Sequence, residues 1–187
     1  MGFLISISVS QLVNMNILEL FRKVTTFVFD VDGVLTDGTV LVLSGGLQAR
    51  RMHIKDGFAL QMAIKNGFRV KIISGGTSPE VQDRLEKLGV TDISMSVHDK
   101  KQYLNDYMQQ HNLKKEEVLY MGDDLPDIPA LLAVGLPCCP ADAVQEVREI
   151  SKYISHLDGG KACARDVIEK VLKLNGKWNY STDVASR

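Results

Sequence analysis

The sequence predicts an α/β protein: a doubly wound parallel sheet that carries a projecting β-hairpin and has no cap domain. Short β-branched and aromatic runs alternate with amphipathic stretches along the chain. The connections between them are short, as expected for parallel strands joined by helical crossovers. One glycine-rich turn, Ser44-Gly45-Gly46, interrupts the alternation and marks a hairpin.

Taken in order, residues 24–31 have the composition of a buried strand. The flanks of the glycine turn, 39–43 and 47–53, form the hairpin that projects directly after that strand. A helix over 56–66 stops at Gly67, a residue suited to a helix C-terminus. The second strand spans 68–74. Ser78-Pro79-Glu80 opens the next helix, with Ser78 as N-cap and Pro79 in the first turn; Gly89 follows its end. Helices over 99–111, 125–134, 142–150 and 161–174 alternate with strands over 118–121, 135–139 and 153–155. Residues 1–23 read as a leader and short helix, 24–178 as the domain, and 179–187 as a polar, flexible tail.

The 187 residues fit one domain with a substantial core. Lys and Arg total 22 against 23 Asp and Glu, a net charge of −1. That balance speaks against a nucleic-acid groove or a polybasic membrane patch. The three cysteines, Cys138, Cys139 and Cys163, form no CxxC pair and no disulfide framework, so reduced thiols in a cytoplasm are expected. The apolar run at 3–9 is too short to span a bilayer and has no preceding Lys or Arg. Met1-Gly2 with Ser6 fits a common myristoylation pattern, and Met15 is an alternative start.

Ligands of such sheets bind at the carboxyl ends of the strands. Asp30-Val31-Asp32 ends the first strand, Ser74-Gly75-Gly76 the second, and Gly122-Asp123-Asp124-Leu125-Pro126-Asp127 the third; Lys100 follows in a helical region. Carboxylates gathered at one edge repel each other unless a cation neutralises them, and hard oxygen donors without His or Cys select Mg²⁺. Bare amides at residues 31–33 and at Gly75 and Gly76 form candidate anion nests. A lysine, a hydroxyl, amides and a cation around a carboxylate suit phosphoryl transfer. Each motif alone is weak; their joint order at successive strand ends is specific.

In these residues the chain resembles the haloacid dehalogenase-like phosphatase superfamily over roughly residues 24–178. The resemblance implies Asp30 as a nucleophile forming an aspartyl phosphate, and Asp32 as the acid and base. It implies Ser74 and Lys100 as phosphoryl-holding groups. The Mg²⁺ ligands would be Asp30, the Asp32 carbonyl and Asp123. Asp124 or Asp127 would orient the water shell or Lys100. An Asp at position 32 favours ester hydrolysis over dehalogenation or ion pumping.

Within the capless branch, Val34-Leu35-Thr36-Asp37-Gly38, Ile54-Lys55-Asp56-Gly57, Pro140-Ala141-Asp142-Ala143 and Gly159-Gly160 before Arg165 resemble phosphatases of 3-deoxy-D-manno-octulosonate 8-phosphate (KDO 8-phosphate). That likeness implies a small sugar-acid phosphate as substrate, with Thr36, Lys55, Gly75, Gly76, Lys161 and Arg165 as substrate contacts. It also implies a homotetramer in which a neighbouring subunit covers the active site. Two departures stand out. Relatives often carry Arg, or Glu in enzymes for nine-carbon sugar acids, where this chain has Gly76. Lys161 replaces an Arg and loses its planar fork. A nine-carbon keto-sugar acid phosphate is the alternative substrate. A phospho-accepting receiver domain fits poorly, because its nucleophilic Asp lies on a later strand, and every core catalytic position argues against an inactive subunit.

Overall fold

The computed structural model describes residues 16–178. The apolar run at 3–9, the Met1-Gly2 pattern, the alternative start at Met15 and the tail at 179–187 lie outside them. Six parallel strands form the sheet: β1 (Thr26–Phe29), β4 (Arg69–Ile73), β5 (Asp92–Ser94), β6 (Val118–Met121), β7 (Leu136–Cys139) and β8 (Tyr153–Ile154), in the order β5-β4-β1-β6-β7-β8. The chain runs from β1 outward through β4 to β5, then crosses to β6 and continues to β8. The reversal falls beside β1, where an open sheet offers a crevice at its carboxyl edge.

The inner strands β1, β6 and β7 are buried on both faces, which is why they read as continuous apolar runs. Phe27 and Phe29 of β1, Ile72 of β4 and Leu119 and Met121 of β6 pack in one layer with α1 (Ile17–Lys23), α2 (Ile54–Lys65), α3 (Pro79–Lys87) and α7 (Cys163–Leu174). Val28, Ile73, Val118 and Tyr120 face the opposite layer, with α4 (Lys100–Gln110), α5 (Ile128–Leu131) and α6 (Gln145–Ile150). Helix α1 belongs to the packed unit, because Leu20 and Phe21 are buried and the Phe21 ring meets Tyr153 edge-on at 5.1 Å. The unit therefore starts before the boundary expected at residue 24.

The other differences are local. The hairpin pairs over only β2 (Leu41–Val42) and β3 (Gln48–Ala49), because its strands project from the body and lack a second sheet to extend them. Strand β5, unexpected from the sequence, is a short, half-buried edge strand with too few apolar residues to signal itself. Lys71 beside it is 3% exposed, pairs with Asp92 at 2.8 Å and lies 5.2 Å from the ring centres of Tyr103 and Tyr107. Ser78 stands at the N-cap position of α3 without a capping side-chain bond. The helix expected over 125–134 divides into a tight turn at Leu125–Asp127 and α5.

Candidate active site

The site is built where β1, β4 and β6 end. Asp30 follows β1 directly, and its N–H donates to the Met121 carbonyl of β6 at 3.0 Å. The chain then turns sharply through Val31–Leu35, with Gly33 at φ 81°. A Cβ at Gly33 would stand 1.9 Å from Asp123 Oδ2, so only glycine lets the two loops meet. Gly159 closes on the same turn from outside, where a Cβ would fall 1.9 Å from the Gly33 carbonyl oxygen. The Gly159-Gly160 pair is thus a close backbone contact that braces the loop of the nucleophile candidate.

A cavity of about 450 Å³ opens over these ends, lined by Asp30, Asp32, Ser74, Gly75, Gly76, Lys100, Asp123, Asp124 and Asp127 among others. Lys100, the first residue of α4, reaches in with its ammonium 3.0 Å from Asp30 Oδ2 and 2.7 Å from Asp127 Oδ1. Asp127 is 1% exposed and fully engaged. Tyr120 donates its hydroxyl to Oδ1 at 2.7 Å, and the N–H groups of Asp123 and Asp124 donate to Oδ2 at 3.1 and 3.4 Å. The sequence left the choice between Asp124 and Asp127 open; here Asp127 anchors Lys100. Asp124 sits at the rim and accepts the Leu125 N–H.

Carboxylate oxygens of Asp30, Asp123 and Asp127 lie within 4.8 Å of one another. Burial, followed by the charge of Asp127, pushes the Asp30 carboxyl up to about 7 despite the neighbouring lysine. Burial and the charges of Asp127, Asp30 and Asp124 push Asp123 up to about 8. Burial works against the charged Lys100, but Asp30 and Asp127 outweigh it and hold its ammonium above the ordinary range. Asp123 Oδ1 is buried with no hydrogen-bond partner among the described residues. Crowded acids and an orphaned hard oxygen fit a divalent cation that prefers oxygen donors.

Asp32 lines the same cavity but stands apart from the cluster of three acids. Arg50, one residue beyond β3, donates from Nε to Asp32 Oδ1 at 2.6 Å and from Nη2 to Oδ2 at 3.4 Å. Sequence reasoning missed Arg50, which lies 18 residues from its partner in a segment with no motif of its own. Only the hairpin's return toward the sheet edge, with Thr36 bridging Met52, could have pointed to it. Ser74 Oγ accepts the Gly76 N–H at 3.2 Å, and the Ser74–Gly76 loop is tied to the segment before Lys100 by Ser96 N–H to the Gly76 carbonyl at 3.1 Å.

Four expected substrate contacts do not line this cavity. Thr36 is buried, and its Oγ1 donates to the Val31 carbonyl at 3.2 Å and accepts the Gly33 N–H at 3.3 Å, so it holds the loop from beneath. Lys55, Lys161 and Arg165 line a separate cavity of about 390 Å³ against α7. There Arg165 pairs with Glu169 at 3.0 Å, and its guanidinium lies 5.3 Å from the Trp178 ring centre. The Arg165 N–H donates at 2.7 Å to Asp56, a buried carboxyl pushed up to about 6 mainly by burial. These bonds explain the Lys55-Asp56-Gly57 motif as a clamp between α2 and the start of α7.

A family model described as haloacid dehalogenase-like hydrolase matches residues 45–135. The curated 3-deoxy-D-manno-octulosonate 8-phosphate phosphatase KdsC of Salmonella typhimurium is 30% identical over 156 residues, 83% of each chain. The Salmonella typhi protein of that name is 29% identical over 165 residues, 88% of each chain. Among solved structures, the 3-deoxy-D-manno-octulosonate 8-phosphate phosphatase of Moraxella catarrhalis, in complex with magnesium, phosphate and KDO, superposes with a TM-score of 0.82. It is 30% identical, covering 84% of this chain and 91% of that one. A hypothetical protein from Xanthomonas campestris gives a TM-score of 0.84 at 34% identity, covering 89% and 91%. With its parallel sheet, its acidic strand ends and relatives that match over most of both chains, this chain belongs to the haloacid dehalogenase-like hydrolase family.

Proposed function

We propose that this protein is a Mg²⁺-dependent phosphatase that hydrolyses KDO 8-phosphate to KDO and phosphate. The observation that carries the reading is the Asp30 carboxylate at the end of β1, held 3.0 Å from Lys100 within a cluster of buried acids. The names of the relatives, 29–30% identical to this chain, support the substrate.

Asp30 is the nucleophile in this reading. As its oxygen bonds to phosphorus, the ester P–O bond breaks and Asp32 gives its proton to the departing alkoxide. Asp32 then takes a proton from a water that attacks the aspartyl phosphate, releasing phosphate and restoring the Asp30 carboxylate. Lys100, Ser74 and the amides of Gly75 and Gly76 hold the phosphoryl oxygens, and Asp127 fixes the Lys100 ammonium in place. We assign Asp30, Asp123 and the Asp32 carbonyl as Mg²⁺ ligands. A bound Mg²⁺ supplies positive charge that keeps the acids ionised and withdraws charge from the transferring group.

The hairpin supports a homotetramer whose neighbouring subunit covers the open cavity. Leu41, Val42 and Leu47 are 63%, 70% and 62% exposed, a cluster of apolar side chains suited to a partner's surface. Free, buried thiols support a cytoplasmic location, and among the described residues no helix is long and apolar enough to cross a membrane. Phosphate release across a panel of sugar-acid phosphates, with and without Mg²⁺, tests the reading. Metal-dependent turnover with a marked preference for the eight-carbon acid is expected. Equal turnover of a nine-carbon acid 9-phosphate would overturn the substrate.

A further inference from the structure

The turn that follows β7, over residues 140–144, is bonded to two separate parts of the site. Its Val144 N–H donates to the Asp123 carbonyl at 3.0 Å. Its Asp142 accepts the Gly159 N–H on Oδ1 at 2.9 Å. The Ala141 N–H, donating to the Leu157 carbonyl at 3.0 Å, fixes the approach of that second loop. Gly159 in turn lies against the Gly33 carbonyl, and the Gly160 N–H donates to the Val34 carbonyl at 2.9 Å. Gly33 closes on the Asp123 carboxylate so tightly that no Cβ fits between them. These contacts form a closed ring that runs from Asp123 through Gly33, Gly159, Asp142 and Val144 back to Asp123.

Two of the groups assigned above to Mg²⁺ lie on this ring: the Asp123 carboxylate, and the Asp32 carbonyl beside Gly33. The links from Val144 to Asp123 and from Gly159 to Gly33 are made by backbone. Asp142 supplies the link made by a side-chain hydrogen bond, so a substitution can remove it cleanly. Asp142 is exposed, whereas Gly159 and Gly160 are buried. Deleting the carboxylate therefore opens no cavity in the core, but it leaves the Gly159 N–H buried without its acceptor. A buried donor without a partner is costly, and the loop relieves that cost by moving off Gly33. Metal ligands depend on such supports, because the groups that orient them set affinity almost as strongly as the ligands do. A bond that merely anchored the loop before α7 would alter melting and leave metal affinity unchanged.

We propose that Asp142 is a positioning residue for the metal site: by holding Gly159 against the loop of the nucleophile, it keeps the Asp32 carbonyl and Asp123 at the spacing a divalent cation requires. It touches neither substrate nor reacting atoms. The inference rests on the ligand assignment proposed above.

Calorimetric titration of Mg²⁺ into the metal-free wild type, Asp142→Ala, Asp142→Asn and Lys152→Ala tests this, with phosphate release and thermal melts on the same proteins. Lys152→Ala removes a comparable side-chain bond, from Nζ to the Gly135 carbonyl at 2.8 Å, at the opposite end of β7, and serves as the control for general loosening. Asp142→Ala should bind Mg²⁺ about 10-fold more weakly, the lower end of the effect of removing a group that orients metal ligands. Its phosphate release should need correspondingly more Mg²⁺ to reach half its maximum, while kcat at saturating Mg²⁺ stays close to that of the wild type. Asp142→Asn, whose amide oxygen can still accept the Gly159 N–H, should keep most of the affinity. Lys152→Ala should bind Mg²⁺ as the wild type does, whatever its melting temperature. Unchanged affinity in Asp142→Ala, an equal loss in Lys152→Ala, or a loss in Asp142→Asn as large as in Asp142→Ala would overturn the proposal. If the wild type binds Mg²⁺ but releases no phosphate from any sugar-acid phosphate, and Asp142→Ala still weakens the binding, the function proposed above fails and the role of Asp142 stands.

Discussion

Asp30→Asn is expected to lower phosphate release by on the order of 10⁴-fold or more, at saturating substrate and Mg²⁺. The amide is nearly isosteric, so the fold should survive, and removing a negative charge from a crowded cluster relieves repulsion. Asp30 and Asp123 are both pushed up by burial and by neighbouring acids. The variant should therefore melt no lower than the wild type in metal-free buffer while having almost no turnover. Loss of activity without loss of stability separates a chemical role from a structural one. Steady-state phosphate release with thermal melts checks both halves. Activity within tenfold of wild type would remove Asp30 from the chemistry.

The second large effect couples metal, protons and stability. In the metal-free chain, Asp30 and Asp123 keep their protons up to about pH 7 and 8, whereas the unfolded chain loses them near 3.8. The folded state binds more protons across that window, so its stability is full below the window and falls as pH rises through it. Each tenfold change in proton affinity is worth about 1.4 kcal/mol. The two acids titrate together and share the same repulsion, so the loss is on the order of 5 kcal/mol. Saturating Mg²⁺ should remove most of this fall by stabilising both carboxylates in their charged form. Asp56, up to about 6, titrates in either condition, so the difference between EDTA and Mg²⁺ isolates the acid cluster. Urea unfolding at pH 5 and pH 8.5 reads it. Equal pH slopes with and without Mg²⁺ would contradict the coupling.

Much of the fold was legible in the sequence because parallel strands buried on both faces must be apolar throughout. Phe27-Val28-Phe29 and Leu119-Tyr120-Met121 advertise themselves for that reason. Strand β5 did not, because an edge strand is only half covered and tolerates Asp92 and Ser94. The grouping of Asp30, Ser74, Lys100, Asp123 and Asp127 followed from strand ends, where chain order and position in space agree. Arg50 escaped because its place depends on how far a hairpin folds back, which local sequence does not encode. Lys55 and Arg165 were placed at the substrate by the likeness of their motifs to relatives, and in this chain they line a separate cavity. Their surroundings, Glu169 for Arg165 and the start of α7 beside both, are fixed by helix packing that no short motif specifies. Gly159 and Gly33 are a similar lesson: their role is a close contact between two loops more than a hundred residues apart.

In the proposed mechanism, phosphate passes through a covalent bond to Asp30. The direct measurement is mass spectrometry of peptides from enzyme quenched in acid during turnover, using Asp32→Ala to slow the second half of the reaction. The expected result is a phosphoryl adduct, about 80 Da, on the peptide that contains Asp30, absent when Asp30→Asn is added. Phosphate released in the burst with no adduct at Asp30, or an adduct on another residue, would contradict it.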